Sequence, residues 1–98
     1  MHDAAPAFAG LPEHDAAGRP VRVSMLGRAG CHLCDRARGV IVRVCDATGT
    51  GWVEADVDDH PELLPVFGEL LPVVFVDGRR HDYWQVDPRR LGEALGSA

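Results

Sequence analysis

Cys31 and Cys34 stand two residues apart in Gly30-Cys31-His32-Leu33-Cys34-Asp35, a spacing at which thiols either exchange with disulfides or supply half of a metal site. The flanking residues narrow that choice. Upstream, Val21-Arg22-Val23-Ser24-Met25-Leu26 is a β-branched, apolar run, and Gly27-Arg28-Ala29-Gly30 is a glycine-punctuated loop. Downstream, Leu33, Ala37, Val40, Ile41, Val44 and Cys45 recur at the spacing of a helix with one buried face. Cys31 is therefore expected at a helix N-terminus. Unpaired amides and the positive end of the helix dipole there favour a thiolate, lowering the pKa below the free value of about 8.5. Arg28 and a protonated His32 are expected to add a small, salt-screened contribution. Cys34, one turn further in, is expected to be more buried and less ionised, so that Cys31 attacks and Cys34 resolves.

Positioning this pair falls to a short series of elements. Residues 46–51 form a glycine-rich turn, after which Val53, Ala55 and Val57 alternate with Glu54, Asp56 and Asp58 as in a half-exposed strand at a sheet edge. Strand, helix and strand in so short a span imply that the two strands are parallel. Asp59 as N-cap, Pro61 in the first turn and Glu62 at the capping-box position start a second helix. Pro65 and Gly68 confine it to irregular turns over residues 61–67. Leu71-Pro72-Val73-Val74-Phe75-Val76 reads as a strand buried on both faces, and Asp77-Gly78 as the hairpin turn to an antiparallel strand near residues 81–84. Asp87-Pro88 opens a last helix with Leu91, Ala94 and Leu95 facing inward. The expected fold is α/β, a four-stranded mixed sheet in the order β-α-β-α-β-β-α with helices on both faces.

Composition sets the outer bounds. The chain of 98 residues suits one small domain, residues 20–98, behind an N-terminal arm at 1–19 that reads as disordered. His2 and His14 in that arm are expected to be solvated rather than metal ligands. The formal net charge is −5, and the ten basic residues, all arginine, are scattered, which argues against a nucleic-acid partner. Three cysteines at uneven spacing do not make a secreted disulfide framework. With no secretory signal and no run able to span a membrane, a monomer in the reducing cytoplasm is expected. Cys45, on the apolar stripe of the first helix, is expected to be a buried, inert thiol.

The order of elements, Cys-x-x-Cys after the first strand and Pro72 opening the third together resemble the thioredoxin fold and, at this length, glutaredoxin. The resemblance is strongest to a glutaredoxin-like family of small bacterial proteins carrying Gly-Cys-His-Leu-Cys-Asp. It extends over residues 21–95 and rests on residues 30–35, residues 71–78 and the closing Tyr83-Trp84-Gln85-Val86-Asp87. It implies that Cys31 is the attacking and Cys34 the resolving thiol, and that Pro72 is a cis-proline packed beside them. It also implies that the backbone of Leu71 pairs with a substrate chain. His32 and Leu33, between the cysteines, would face the substrate and tune the redox potential. The implied activity is reduction of protein or low-molecular-weight disulfides through a mixed disulfide, with no resident cofactor or metal. Glutaredoxins carry a glycine pair that lets the backbone approach glutathione; His81-Asp82-Tyr83-Trp84 stands at that point, so the recycling reductant is left open. Tyr83 and Trp84 either flank a substrate groove or pack on the sheet. Two other readings belong to different classes. One is an iron–sulfur or zinc protein, drawing on Cys45, His60 or His81 for further ligands; the other is a non-catalytic adaptor on the same fold.

Overall fold

The computed structural model describes residues 12–96. Most of the expected arm, residues 1–11, lies outside the described residues, His2 included. The part that is described forms a turn. Asp15 Oδ1 accepts hydrogen bonds from the amides of Ala17 and Arg19 at 2.9 and 2.8 Å, and Oδ2 accepts from Arg19 Nε at 2.8 Å. The Arg19 amide, with its guanidinium, holds the Asp15 carboxyl below its ordinary pKa. His14 forms an isolated bridge with Pro20, and Arg19 reaches Asp46 at 3.0 Å, so this turn is fastened to the domain.

Four strands and three helices follow: β1 (Val21–Gly27), α1 (His32–Thr48), β2 (Gly51–Asp56), α2 (Leu64–Phe67), β3 (Val73–Val76), β4 (Arg79–Tyr83) and α3 (Pro88–Gly96). The sheet order is β2-β1-β3-β4. β1 runs parallel to β2 and antiparallel to β3, and β3 runs antiparallel to β4. β2 is thus an edge strand, as its alternating pattern requires.

The period-2 geometry of the central strands divides the core into two layers. Val23 and Met25 of β1 and Val74 and Val76 of β3 pack with Ala37, Ile41 and Cys45 of α1 and Leu91 and Leu95 of α3. From the opposite face, Leu26, Val73 and Phe75 meet Val57 and Leu63, with Leu64 and Phe67 of α2 packed against them. The Phe67 and Phe75 rings meet edge to face at 5.8 Å between centroids. Burying a side chain such as Phe75 contributes about 1.5–3 kcal/mol, and β3, buried at every residue, sends its side chains alternately into the two layers.

Local chemistry moved several expected boundaries. β2 stops at Asp56 because that carboxylate accepts from the amide of Asp58 at 2.8 Å and starts a 3-10 turn at Val57–Asp59. Asp59 therefore ends a turn instead of capping a helix. His60 precedes the next 3-10 turn, Pro61–Leu63, without a side-chain cap, and Glu62 forms no capping box. β4 begins earlier than expected, at Arg79, because Asp77 and Gly78 both take left-handed conformations (φ 53° and 81°) that turn the chain tightly. Its register shifts between Val74 and Phe75, which pair with Asp82 and Arg80 and leave His81 as the extra residue of a bulge. Asp87 Oδ1 accepts from the amides of Arg89 and Arg90 at the start of α3.

Two arginine clamps tie elements together. Arg22 pairs bidentately with Asp77 at 3.0 and 2.8 Å and donates to the carbonyl of Leu95 at 2.9 Å, joining β1, the hairpin turn and the end of α3. Arg38 pairs bidentately with Glu54 at 2.8 and 2.7 Å and reaches Asp35 at 2.8 Å, joining α1 to β2.

Cys45 is fully buried and free, and burial pushes its thiol pKa up to about 11. At about pH 8 roughly one such thiol in a thousand is ionised. Cys45 should resist a bulky thiol reagent in the native protein and react promptly once denaturant is added; prompt native labelling would contradict its burial.

Candidate functional site

The turn before α1 ends on Cys31, and the backbone makes that cysteine the N-cap of the helix. Its φ and ψ, −94° and 110°, are extended, and its carbonyl accepts from the amide of Asp35 at 3.1 Å. Its Sγ accepts from the amide of Cys34 at 3.1 Å, taking the place that a serine or aspartate oxygen fills in other helices. Cys31 is half-buried, whereas Cys34 is fully buried on the inner face of α1. Their Cα atoms are 5.1 Å apart and their sulfurs lie at disulfide distance.

The backbone supplies the positive field at Cys31. Arg28, expected to help through its charge, is engaged instead by Asp58 at 3.0 Å. The carboxylate of Asp35 in the first turn of α1 is answered by Arg38 at 2.8 Å. His32 is exposed at the first position of the helix. Leu33, placed by its spacing on the buried face, is instead exposed. That face is made by Cys34, Ala37, Ile41 and Cys45, with Val40 and Val44 at its margins.

Pro72 is buried, and the Leu71–Pro72 peptide is cis, as the resemblance implied. Leu26 pairs with Val73, so the same register sets Pro72 beside Gly27 at the end of β1. A Cβ at Gly27 would lie 3.2 Å from Cys34 Sγ and 3.4 Å from Met25 Cε. A side chain at that position would press on the Cys34 sulfur. Leu71 packs between the two core layers, and among the described residues its backbone amide and carbonyl have no hydrogen-bond partner.

Sequence reasoning treated Gly27 as a loop residue; its position directly after an apolar run was the available signal of a close approach. It also left the place of Trp84 undecided. The Trp84 amide donates to the carbonyl of Pro72 at 2.9 Å and its indole Nε1–H to the carbonyl of Glu69 at 3.0 Å. These bonds accompany a left-handed backbone, φ 66°, unusual for so bulky a residue. Trp84 and Leu33 face each other across a groove of about 240 Å³ that Arg36 and Gln85 also line. Arg36 carries no motif that would mark it in the sequence, and Gln85 lies in the closing stretch of the resemblance without a role attached to it. Among the described residues no three histidine, cysteine, aspartate or glutamate side chains gather as a group able to hold a metal ion, and Cys45, His60 and His81 do not converge on the pair.

A mixed sheet with this strand order, a cysteine pair opening the first helix and a cis-proline opening the third strand define a protein of thioredoxin fold, glutaredoxin type. The family model of the glutaredoxin-like domain (DUF836) matches residues 22–96, and the chain belongs to that family. It is 40% identical over 75 residues to an uncharacterised protein of Mycobacterium tuberculosis, covering 71% of this chain and 77% of that one. The crystal structure of XcR50 from X. campestris is 27% identical with a TM-score of 0.65, covering 78% of this chain and 97% of that one. Glutaredoxin C1 from Populus tremula x tremuloides, in its holo form, shares the fold at 17% identity and a TM-score of 0.56, with 79% and 85% covered.

Gly27→Ala should lower stability by about 1–3 kcal/mol, the cost of overpacking a filled site, when denaturant unfolding is compared with wild type. An unchanged midpoint would show that Cys34 can yield and that Gly27 is not required for its packing.

Proposed function

We propose that this protein is a thiol–disulfide oxidoreductase that reduces disulfides through a mixed-disulfide intermediate. The observation that carries the reading is the asymmetry of the pair: Cys31 is a half-buried N-cap whose sulfur receives a helix amide, and Cys34 is wholly buried behind it at disulfide distance.

In the reduced protein the Cys31 thiolate attacks one sulfur of a substrate disulfide. A bond forms between Cys31 and that sulfur, the substrate S–S bond breaks, and the second substrate sulfur leaves as a thiolate that takes a proton from solvent. Cys34 gives up its proton and attacks the Cys31 sulfur. The mixed disulfide breaks, the first substrate sulfur leaves as a thiol, and Cys31–Cys34 is oxidised. Two electrons have passed from the pair to the substrate. An external thiol or dithiol reductant restores the pair by the reverse exchange.

The protein's own groups act on each stage. The Cys34 amide and the start of α1 stabilise negative sulfur at Cys31 both as nucleophile and as leaving group. The free backbone of Leu71, beside the cis-proline, offers hydrogen bonds to an extended substrate chain. His32 and Leu33, between the two cysteines in sequence, are exposed at the start of the helix, where they meet substrate. Among the described residues no helix is long and apolar enough to cross a membrane. We place the activity in the cytoplasm, on a monomer, with protein or low-molecular-weight disulfides as substrates.

Cys34→Ser should accumulate a mixed disulfide with substrate, whereas Cys31→Ser should capture little, as read by non-reducing electrophoresis and mass. Equal trapping by both variants would contradict the assignment of roles. Trapping by neither, with metal retained in anaerobically purified wild type, would replace this reading with cluster or zinc binding.

A further inference from the structure

Five large apolar side chains are exposed among the described residues, and three of them, Leu33 (37% exposed), Tyr83 (43%) and Trp84 (50%), belong to the motif or to the segment hydrogen-bonded to Pro72. Tyr83 and Trp84 stack edge to face at 5.1 Å, which stiffens them as one unit. Leu33 and Trp84 form the sides of the groove of about 240 Å³, with Val40 further along α1 and Arg36 and Gln85 as its polar groups. That volume is below the roughly 300–1,000 Å³ of sites that enclose a whole small molecule, and suits one or two residues of a longer chain.

Charge then discriminates among occupants. Arg19, Arg22, Arg28, Arg38, Arg89 and Arg90 are each held by a carboxylate. Among the described residues Arg36, Arg43 and Arg79 have no such partner, and of these Arg36 lines the groove, in a chain of net charge −5. The neighbouring hollow on the far side of Trp84 differs. Its Asp82 is paired with Arg90, and its Asp87 carboxylate caps α3. An unanswered cation beside an apolar wall thus marks the Leu33–Trp84 groove for a ligand that is apolar and anionic at once. The bond between the Trp84 amide and the Pro72 carbonyl joins this groove to the unpaired backbone of Leu71, so one extended chain can engage both.

We propose that the Leu33–Trp84 groove is the specificity site of the exchange reaction, selecting polypeptide disulfides whose reacting cysteine is followed or preceded by an apolar residue and then a carboxylate. The apolar side chain lies between Leu33 and Trp84, and the carboxylate pairs with Arg36. This rests on the oxidoreductase reading above. Trp84 contacts the substrate side chain directly, its ring held by the left-handed backbone and two anchoring bonds.

The test uses pre-reduced full-length protein and cysteinyl peptides blocked as mixed disulfides with thionitrobenzoate. Cys31 attacks the peptide sulfur and coloured thionitrobenzoate leaves; Cys34 then releases the peptide thiol and the protein is left oxidised. Peptides carry Leu then Glu beside the cysteine, in both orientations, with Gln for Glu and Ser for Leu as controls. Wild type should favour Leu-Glu over Leu-Gln by about threefold, the scale of an exposed ion pair, and over Ser-Glu by about tenfold, the scale of a partly enclosed apolar contact. Arg36→Gln should abolish the first preference and keep the second. Trp84→Gly, whose glycine accepts the left-handed backbone without strain, should abolish the second, and Trp84→Phe should restore part of it. Thermal unfolding checks each variant; if Trp84→Gly does not fold, the exposed Arg36→Gln still decides the charge claim.

Equal rates for all peptides, or preferences that neither variant moves, would overturn the proposal while leaving the exchange reaction intact. A stronger preference for oxidised glutathione, lost in the same variants, would make the groove a small-thiol site and overturn the polypeptide assignment. No thionitrobenzoate release from any peptide by reduced wild type would overturn the oxidoreductase reading, and the groove's role with it.

Discussion

A helix whose N-cap is a cysteine directs its first free amides at sulfur, and here the amide of Cys34 donates to Cys31 Sγ at 3.1 Å. An N-cap oxygen serves mainly to satisfy orphan donors; an N-cap sulfur in addition gains a reason to ionise, because the same donors and the helix dipole are worth more to an anion. The side-chain charges near the motif are answered by one another: Arg28 by Asp58, and Asp35 by Arg38. What remains uncompensated at Cys31 is the backbone of α1. The chemistry proposed for the pair depends on that helix starting at that residue.

The surrounding fold keeps it there. α1 is held against the sheet by Ala37, Ile41 and Cys45 and to the edge strand by the Arg38–Glu54 pair. β1 delivers the chain to the turn before Cys31, and its last residue, Gly27, leaves room for the buried sulfur of Cys34. β3, covered on both faces, sets Pro72 beside Gly27, and the Trp84 amide closes on the Pro72 carbonyl from β4's end. Cys31 is left half-buried.

Much of this was legible in the residues. The alternation at Val53, Ala55 and Val57, the unbroken apolar run into β3 and the Asp77-Gly78 turn led to the right sheet, because period and turn chemistry are local properties. The Cys-x-x-Cys spacing and Pro72 pointed to the candidate site, and the two sulfurs do lie at disulfide distance. Less accessible were features decided by a single side chain's choice of partner. Asp56, not Asp59, captured an amide and ended β2, since either carboxylate could have done so. Leu33 fits the helical spacing of the buried face, yet it stands in the first turn, where Cys34 has already taken the inward place. The pairing of Trp84 with Pro72 and Glu69 joins residues far apart in sequence, and no pattern of neighbours encodes it.

The most direct test of the claim that the start of α1 ionises Cys31 is the pH dependence of alkylation in the reduced native protein, with labelled positions identified by peptide mapping. The account predicts a Cys31 profile with its midpoint below the free-thiol value of about 8.5 and Cys34 labelled only after unfolding. A Cys31 midpoint at or above that value, or labelling of Cys34 first, would contradict it.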